Sequence, residues 1–394
     1  MSRRYEIIVV GAGPVGLACA LKLARAGVET LLVEAEGQLS EELRASTFHP
    51  PTLDMLEEFD VTSGLLQQGL VTPTWQVRMH ETGERAEFDL SLLKGHTRHP
   101  YRLQCEQWKL SRLLAGMLPA EPWFGTRALA LSQTEQAVHL TVERGGEPVE
   151  LQCAYLVGAD GARSAVRKSL ALGFEGVTFP ETTILATTHF DFAAHLAGLS
   201  GVNYCWAPSG TFSLLRLPDE WRVSLYPDDG ESVEAALEPA SIERKLQRIV
   251  ARPAPYEVLQ TRPYRIHQRV VDRYRVGRVL LAGDAAHLNS PSGGMGMNGG
   301  IHDAFNLADK LVRVLRGEDP GLLDLYERQR RPVALEQILA QSGRNRARMQ
   351  ERDPQRRLAA LRELQTIAAD PDRARQHLLR TSMIEGLRQA AAIH

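Results

Sequence analysis

Apolar and polar positions along the first 35 residues predict a strand, a helix and a second strand, in that order. A mostly apolar run over residues 5–10 predicts the first strand. Apolar positions at helical spacing over residues 14–25 predict a helix that ends before Gly27. Residues 30–34 form the next apolar run. Because two parallel strands joined by a helix are the unit of a doubly wound sheet, the pattern predicts a Rossmann-like α/β fold.

The patterns along the rest of the chain divide it into three kinds of segment. Helices alternating with apolar strands predict one discontinuous α/β domain, at residues 1–70, 100–178 and 273–345. Polar, strand-like stretches predict a second, mostly β domain built from two insertions, at residues 71–99 and 179–272. A C-terminal helical segment is expected over residues 346–394.

The composition favours a small-molecule ligand. The chain has 394 residues, of which 43% are hydrophobic and 24% charged, and its formal net charge of -2 does not indicate nucleic acid or an anionic membrane as a partner. The four cysteines lie far apart without a CxxC pair, which argues against a disulfide framework or a zinc site. We therefore expect no metal, and either a monomer or a homodimer.

The first residues contain a paired arginine before an apolar run, as an export signal does. Arg3 and Arg4 precede only four continuously apolar residues, 7–10, whereas the apolar region of a signal peptide needs about seven or more. No stretch approaches the roughly 20 apolar residues of a membrane span. We therefore expect a cytoplasmic protein with no membrane span.

The glycines after the first strand form a GxGxxG motif. Gly11 permits a tight turn, Gly13 lets the backbone approach a pyrophosphate, and Gly16 allows close packing of helix on strand. Pro14 suits the first helical position, and Glu34 ends the second strand, where a carboxylate can accept hydrogen bonds from a ribose. This context predicts dinucleotide binding, although a tight turn without ligand has the same glycines and FAD and NAD(P) share the element.

A second glycine-rich stretch points to FAD. The apolar strand ending at Ala282 delivers Asp284 to the carboxyl edge of the sheet, where its carboxylate can accept hydrogen bonds from ribityl hydroxyls. Five glycines follow within the eight positions 293–300, and helical spacing resumes over 301–315. We expect residues 293–300 to form a loop whose backbone lies against a flavin, ahead of a helix N-terminus.

Three motifs together resemble those of a known family. GAGPVG at 11–16, GADGARSAVR at 158–167 and GDAAHLNSPSGGMGMNGG at 283–300 resemble the class A flavoprotein aromatic hydroxylases, the para-hydroxybenzoate hydroxylase-like FAD-dependent monooxygenases. Signatures of flavin halogenases, disulfide reductases and Baeyer-Villiger enzymes are absent from the sequence. The resemblance implies that NADH or NADPH reduces FAD, that molecular oxygen then forms a C4a-hydroperoxyflavin, and that an aromatic ring is hydroxylated.

The resemblance also implies roles for single residues. Backbone amides around Met297 and Asn298 are expected to face the flavin N1 and C2 carbonyl, while Asp160 could bind FAD or NAD(P)H and also cap the helix after it. The residues implied in FAD binding are Gly11, Gly13, Pro14, Gly16, Glu34, Arg44, Gln107, Asp160, Asp284, Gly296, Met297 and Asn298.

Residues for the remaining roles are less specific, and an ordinary strand or core position is the alternative for each. Tyr204 and His189 are the candidates for handling the substrate proton. The candidates for NAD(P)H contacts are Arg163, His267 and Arg269. The candidates for the substrate pocket are His49, Trp206, Phe212, Arg216 and Pro291, with Tyr226 nearby in sequence.

The expected activity is hydroxylation of a small phenolic or N-heteroaromatic compound, as in the catabolism of aromatic compounds. Segments RVLLAGDAAH and YRIHQRV resemble those of nitrophenol monooxygenases in the same family. Two alternatives stay open: a larger polyketide or tetracycline-like substrate, and a flavin-dependent oxidase or dehydrogenase that inserts no oxygen. The sequence decides neither the position hydroxylated nor the choice between NADH and NADPH.

Overall fold

The computed structural model describes residues 3–42 and 44–394. In chain order its strands are β1 (Arg3–Val10), β2 (Thr30–Val33), β3 (Thr47–Phe48), β4 (Leu70–Thr72), β5 (Thr74–Met79), β6 (Arg85–Asp89), β7 (Arg102–Gln104), β8 (Thr126–Gln133), β9 (Val138–Arg144), β10 (Glu147–Gly158), β11 (Phe174–Thr188), β12 (Val202–Ala207), β13 (Gly210–Arg216), β14 (Trp221–Leu225), β15 (Gln260–Val271), β16 (Arg275–Val276), β17 (Val279–Leu281) and β18 (His287–Leu288).

The helices are α1 (Pro14–Arg25), α2 (Pro50–Leu56), α3 (Thr62–Gln68), α4 (Gln107–Gly116), α5 (Ala165–Ser169), α6 (Val233–Ala236), α7 (Pro239–Ile249), α8 (Met295–Leu315), α9 (Leu322–Val333), α10 (Ala340–Gln350), α11 (Pro354–Ala369), α12 (Pro371–Thr381) and α13 (Ile384–Ala391). A π-helical segment, Ala334–Leu339, joins α9 to α10. Within the described part of the chain, none of these helices has the length and apolar character needed to cross a membrane.

The first sheet aligns the three motifs at one edge. Its strands β17, β10, β1 and β2 lie side by side and parallel, with the β8–β9 hairpin antiparallel to β10. Val10 is in register with Gly158, and Gly158 with Leu281. The first motif follows Val10, the second begins at Gly158, and the third begins two residues after Leu281. All three motifs therefore leave the sheet at its carboxyl edge, where open α/β sheets bind ligands.

The predicted Rossmann-like α/β class is confirmed, and helix α1 has the predicted bounds. The predicted loop over residues 293–300 is wrong in part, because α8 begins at Met295 and includes Gly296, Gly299 and Gly300. Close packing explains these helical glycines: a Cβ on Gly299 would lie 2.5 Å from the Ile338 side chain, and one on Gly300 would lie 3.0 Å from Gly283 Cα. Flexibility is therefore not their function.

The second sheet has the order β18-β15-β11-β14-β13-β12-β5-β6. Strands β5 and β6 come from the first predicted insertion, and they join the sheet through the parallel pair of β5 with β12. Helices α11 and α12 pack against β6 and the segment after it, through a shared cluster that includes Trp75, Phe88, Leu361 and Leu378. The C-terminal helices therefore cover one end of this sheet.

Candidate active site

The glycines of the first motif differ in what surrounds them. Gly11 has a φ of +104°, and a Cβ there would lie 2.5 Å from the Ala159 carbonyl oxygen; a Cβ on Gly16 would lie 1.8 Å from the Gly11 oxygen. At Gly13, by contrast, no described atom lies within 4 Å of the Cβ position. The α1 N-terminus has no side-chain cap, so its first amides are open to a ligand.

Glu34 lies against the same turn. Its Oε2 accepts a hydrogen bond from the Ala12 amide at 2.6 Å, and its Oε1 accepts one from the Glu36 amide at 2.9 Å. The carboxylate is therefore fixed directly after β2, beside the glycine turn. This is the position in which an acidic residue can accept hydrogen bonds from a ribose.

Side chains of the second motif form hydrogen bonds at the carboxyl edge of the first sheet. Asp160 accepts hydrogen bonds from Ser164 Oγ at 2.5 Å and from the Ala165 amide at 2.7 Å, so it binds the first turn of α5. The N-cap itself is Ser164, which corrects the alternative interpretation of Asp160 as the N-cap. Arg167 is buried and donates to the Ala285 carbonyl at 2.9 Å, which ties this motif to the third. Arg163 is exposed. Roles of Asp160 and Arg163 toward FAD or NAD(P)H remain predictions.

Asp284 combines solvent exposure with a raised pKa. Its side chain is exposed, yet surrounding protein crowds it enough that burial raises the pKa of its carboxyl, against the opposing charges of His287 and Arg44. Solvent access and desolvation occur together when a carboxylate lies in a concave site. Tyr264 shows the same combination, and burial followed by the Asp284 charge raises the pKa of its phenol. Exposed Arg44 pairs with Glu42 at 2.7 Å.

A buried ionic network supports the third motif from beneath. The Asp303 carboxylate bonds to His287 Nε2 at 2.7 Å and to Arg330 Nε at 2.7 Å, and it accepts the Gly283 amide at 3.1 Å. Arg330 also donates to the Gly299 carbonyl at 3.3 Å. Burial alone raises the pKa of Asp303, but the charges of Arg330 and His287 outweigh it and lower the value to about 2. The network fixes Gly283 relative to α8.

The start of α8 is held by side chains rather than by a flexible loop. Asn298 accepts the His49 amide at 2.9 Å and donates to the Thr47 carbonyl at 2.8 Å and to the Gly294 carbonyl at 2.6 Å. His49 bonds through Nε2 to the Gly293 carbonyl at 2.8 Å, so that nitrogen carries the proton. The turn at 293–294 is therefore rigid. The first amides of α8, around Met295 to Met297, lack intrahelical partners.

Gln104 is a candidate cofactor contact that the sequence analysis missed. It is fully buried, its Oε1 accepts a hydrogen bond from Thr47 Oγ1 at 3.0 Å, and its Nε2 has no partner. A buried amide nitrogen is expected to have an acceptor, so Gln104 points to a bound group beside the α8 turn. Gln107 is half-buried at the first position of α4. The sequence feature that could have identified Gln104 is a glutamine within the apolar strand β7.

A cavity of about 400 Å³, part of it open to solvent, lies between the second sheet, the glycine turn and the C-terminal helices. Its lining combines apolar walls with a few polar groups, from Trp75, Val77, Arg102, Tyr204, Gly293, Asn345, Arg348, Met349 and Thr381. Of the residues proposed from sequence for proton handling or the pocket, Tyr204 lines this space, and Gly293 ties it to the third motif.

Arg102 and Tyr204 lie side by side in this cavity. Arg102 is 3% exposed, and its guanidinium hydrogen-bonds to the Tyr204 hydroxyl and lies 5.2 Å from the centre of the Trp75 ring. Burial lowers the pKa of Arg102, partly offset by Tyr204. Burial likewise lowers the pKa of Arg348 on α10. Neither arginine was singled out in the sequence, because isolated arginines are mostly surface residues.

The other pocket candidates lie elsewhere or only near the cavity. Buried Trp206 donates its indole N–H to the carbonyl of Arg348 at 3.0 Å. It therefore contacts a residue that lines the cavity but does not line the cavity itself. Phe212 packs edge-on against His80 in a separate core cluster. Arg216 is exposed above the Trp221 ring, and Pro291 is exposed two residues before Gly293.

The structure also shows where the candidates for proton handling and for NAD(P)H binding lie. His189 is exposed and bonds to the Asp219 carbonyl at 2.9 Å, so only Tyr204 enters the proposal below. His267 pairs with Thr178 across β15 and β11 at 2.9 Å, and Arg269 donates to Thr178 at 3.1 Å. Burial, then the charge of Arg269, lowers the pKa of His267. These contacts agree with the alternative of a structural strand pair, and NAD(P)H binding there remains a prediction.

Comparison with known proteins gives one consistent result. The family model "FAD binding domain" matches residues 4–342. The chain is 33% identical to 6-hydroxy-3-succinoylpyridine 3-monooxygenase HspB of Pseudomonas putida, over 96% of this chain and 98% of that protein. It is 34% identical to para-nitrophenol 4-monooxygenase of a Pseudomonas species, over 97% and 96% respectively. The crystal structure of p-nitrophenol 4-monooxygenase PnpA from Pseudomonas putida superposes with a TM-score of 0.91 at 31% identity, covering 98% of this chain and 99% of that one.

Proposed function

The chain belongs to the family of class A FAD-dependent aromatic hydroxylases, and we propose that it hydroxylates a small phenolic or N-heteroaromatic compound in the cavity beside Gly293. As a member it is an FAD-dependent monooxygenase that uses NAD(P)H as reductant. One observation carries the choice of site: the cavity is bounded by the turn that opens α8 and by Tyr204 of the second sheet. A ring held there lies next to the flavin-binding motif.

The residues present fit FAD. Open space at Gly13, the uncapped α1 N-terminus and Glu34 suit the adenosine and pyrophosphate part. Exposed Asp284, three residues after β17, suits the ribityl chain, and the unpartnered Gln104 amide suits the flavin end. The remaining residues proposed from sequence for this role, among them Arg44, Gln107 and Gly296, stay in the proposal.

When bound, FAD supplies the redox and oxygen chemistry, and the protein supplies position, electrostatics and dryness. The free amides at the start of α8 stabilise negative charge beside the glycine turn. Arg102 donates to the Tyr204 oxygen, which leaves the Tyr204 hydroxyl proton available to a substrate oxygen. Trp75, Val77 and Met349 form apolar walls that exclude water from the reacting ring.

The cavity favours a small aromatic substrate over the two alternatives, a larger substrate and a reaction that inserts no oxygen. A larger polyketide or tetracycline-like substrate has to displace α10 or α12, whose residues Arg348 and Thr381 line the same small space as Tyr204. An oxidase or dehydrogenase that inserts no oxygen has less need of apolar walls around the space beside the glycine turn. Both alternatives predict products that differ from those of a small-ring hydroxylase.

The experiment follows NADH and NADPH consumption by the purified, FAD-loaded protein with phenols, hydroxypyridines and a tetracycline precursor. We expect substrate-stimulated consumption together with a hydroxylated small-ring product. Stimulated consumption that yields only hydrogen peroxide for every compound contradicts the proposal. Turnover confined to the tetracycline precursor moves it to the larger substrate class.

A further inference from the structure

We propose that molecular oxygen enters the protein through a second, apolar cavity behind the start of α8, which is separate from the cavity beside Gly293. The inference goes beyond the proposed function, because it concerns the oxygen that a monooxygenase of this family consumes and not the choice of aromatic substrate. We call this space the rear cavity, and its volume is about 260 Å³, part of it open to solvent. It is lined by Met295, His302, Val333, Ile338, Arg380, Met383, Gly386 and Leu387.

The walls of the rear cavity are apolar and uncharged. Its polar wall residue, His302, bonds through Nε2 to Thr52 Oγ1 at 2.9 Å, and burial followed by the charge of Arg330 lowers the pKa of His302 to about 3, so the ring is neutral at physiological pH. The charged lining residue, Arg380, is exposed and marks the mouth. Apolar cavities stay dry and take up small apolar molecules such as xenon. Molecular oxygen has this character, whereas an ion or a sugar does not.

The rear cavity reaches the glycine turn without crossing the substrate cavity. Met295, the first residue of α8, lines the rear cavity, while Gly293, two residues earlier, lines the cavity proposed for the aromatic ring. The two spaces share no lining residue, so they adjoin the same turn through different residues. An aromatic ring occupies the first space when it binds. The rear cavity then stays available as a route for oxygen to the region beside the turn.

Three locally unfavourable backbone features meet at this cavity. Gly299 lies inside α8, and a Cβ there would lie 2.5 Å from Ile338 Cδ1 and 3.6 Å from Met383 Cε. Ile338 belongs to the π-helical segment, a geometry that is frequent at functional sites. Met383 has a φ of +67°, in the left-handed region that residues with side chains rarely adopt. Such geometry persists mostly where function requires it, which supports a role for the rear cavity.

The first test locates an apolar gas in the protein without turnover. Crystals of the FAD-loaded full chain are pressurised with xenon, which binds in dry apolar cavities and is located by its anomalous scattering. We expect a xenon atom in contact with Ile338 and Met383, both with and without a phenol bound in the cavity beside Gly293. A rear cavity that holds ordered water and no xenon contradicts the proposal.

The second test fills the rear cavity from α13. Leu387→Trp is expected to exclude xenon and to lower the second-order rate constant for oxidation of the bound, reduced FAD by oxygen about threefold or more, because access is restricted. Stopped-flow absorbance measures this rate constant. The rate of FAD reduction by NAD(P)H without oxygen is expected to match that of the wild type. Ala391→Trp is the matched control, since Ala391 is exposed on the same helix and does not line the cavity. It is expected to bind xenon and to react with oxygen like the wild type.

The xenon result in the wild type needs no variant to fold, and Leu387→Phe replaces Leu387→Trp if the larger side chain prevents folding. The proposal is wrong if the filled variant excludes xenon and still reacts with oxygen at the wild-type rate. It is also wrong if anaerobic reduction slows as much as the reaction with oxygen, since the effect is then general. Xenon binding and a slowed oxygen reaction without any hydroxylated product overturn the proposed function alone. Hydroxylation of a small ring with an unchanged oxygen rate constant in the filled variant overturns this inference alone.

Discussion

Single buried polar residues hold the motif edge together, and Asp303 is the most constrained of them. It contacts His287 on one side and Arg330 on the other, with all three side chains at most 1% exposed. We predict that Asp303→Asn lowers the free energy of unfolding by about 3 kcal/mol or more, because it leaves Arg330 as a buried charge without its partner. Urea denaturation measures this change.

Asp309→Asn is the control for that measurement. Asp309 lies on the same helix but is 63% exposed, and its partner Lys22 keeps a second ion pair with Glu58 at 2.6 Å. Its substitution is expected to cost less than about 1 kcal/mol. Equal effects of the two substitutions would refute the role given to the buried network.

Gln104 and Gln107 make competing predictions for the flavin contact. Gln104 has the buried, unpartnered amide, so Gln104→Ala is expected to raise the Kd for FAD about tenfold, the value of one hydrogen bond between buried partners. Gln107→Ala is expected to change it less than about threefold. Flavin fluorescence titration of the apoprotein distinguishes them, and a larger effect at Gln107 would restore the assignment made from the family resemblance.

Sequence motifs identified residues whose role is local, and missed those whose role depends on distant partners. Gly16 follows from packing against Gly11, five residues away, and the positive φ of Gly11 follows from the local turn, although Gly11 also lies against Ala159. Arg102 gains its meaning only from Tyr204 and Arg348, far along the chain. The periodicity of a single sequence does not show which distant residues lie side by side in the fold. The same holds for Arg330, which the helical pattern marks as one charge among many.

At the scale of elements, the turn from β1 into α1 contains one glycine that packing requires, Gly16, and one that FAD binding is expected to require, Gly13. A Cβ at Gly13 meets no described atom within 4 Å, whereas one at Gly16 lies 1.8 Å from the Gly11 oxygen. We predict that Gly13→Ala leaves the melting temperature nearly unchanged but raises the Kd for FAD more than about tenfold, because the methyl group occupies the pyrophosphate's space.

Gly16→Ala is the counterpart, and it is expected to lower the melting temperature because α1 must move away from the turn. Differential scanning fluorimetry and FAD titration separate the two effects. A Gly13→Ala protein that binds FAD as tightly as the wild type would show that the pyrophosphate is not held there.

Element boundaries were predictable where terminal proline and glycine agree with the apolar spacing, as with Pro14 and Gly27 at the ends of α1, and not where glycines serve packing. The glycines of α8 resemble a loop to any reading based on propensity, because glycine destabilises an isolated helix. Tertiary contacts override that preference here: Gly299 packs against Ile338, and Gly300 against Gly283 and Val15. The partners lie on other elements, which explains why the helix begins six residues before the predicted start.

At the scale of the whole molecule, the cavity is an assembly of four distant segments. The second sheet, β7, the glycine turn and the C-terminal helices each contribute lining residues. The sequence predicted the second sheet's two insertions and the C-terminal helices as separate pieces. Which faces of these pieces meet depends on three-dimensional packing, so the substrate side was the least predictable part of the protein.

Stability is expected to fall with acidification because buried histidines are neutral in the fold. Burial, then Arg330, lowers the pKa of His302 from 6.5 to about 3. Below about pH 6.5 the unfolded chain therefore binds a proton that the folded protein does not, and the free energy of unfolding falls as the pH decreases toward 3.

The dependence of the free energy of unfolding on pH can be tested by substituting His302. One such histidine contributes up to about 1.4 kcal/mol per pH unit, so His302→Gln is expected to flatten the dependence between about pH 6 and 4 by this amount. Urea denaturation at several pH values measures it. An unchanged slope in the variant would mean that His302 is protonated in the folded protein.

The most direct test of the central claim is the origin of the oxygen atom in the product. The purified protein with FAD and NAD(P)H is given a phenol or hydroxypyridine under isotopically labelled molecular oxygen, and the product is analysed by mass spectrometry. We predict one labelled oxygen atom on the aromatic ring, formed only when FAD and NAD(P)H are both present. A protein that gains no flavin spectrum with FAD, or a product whose oxygen comes from water, would contradict the assignment.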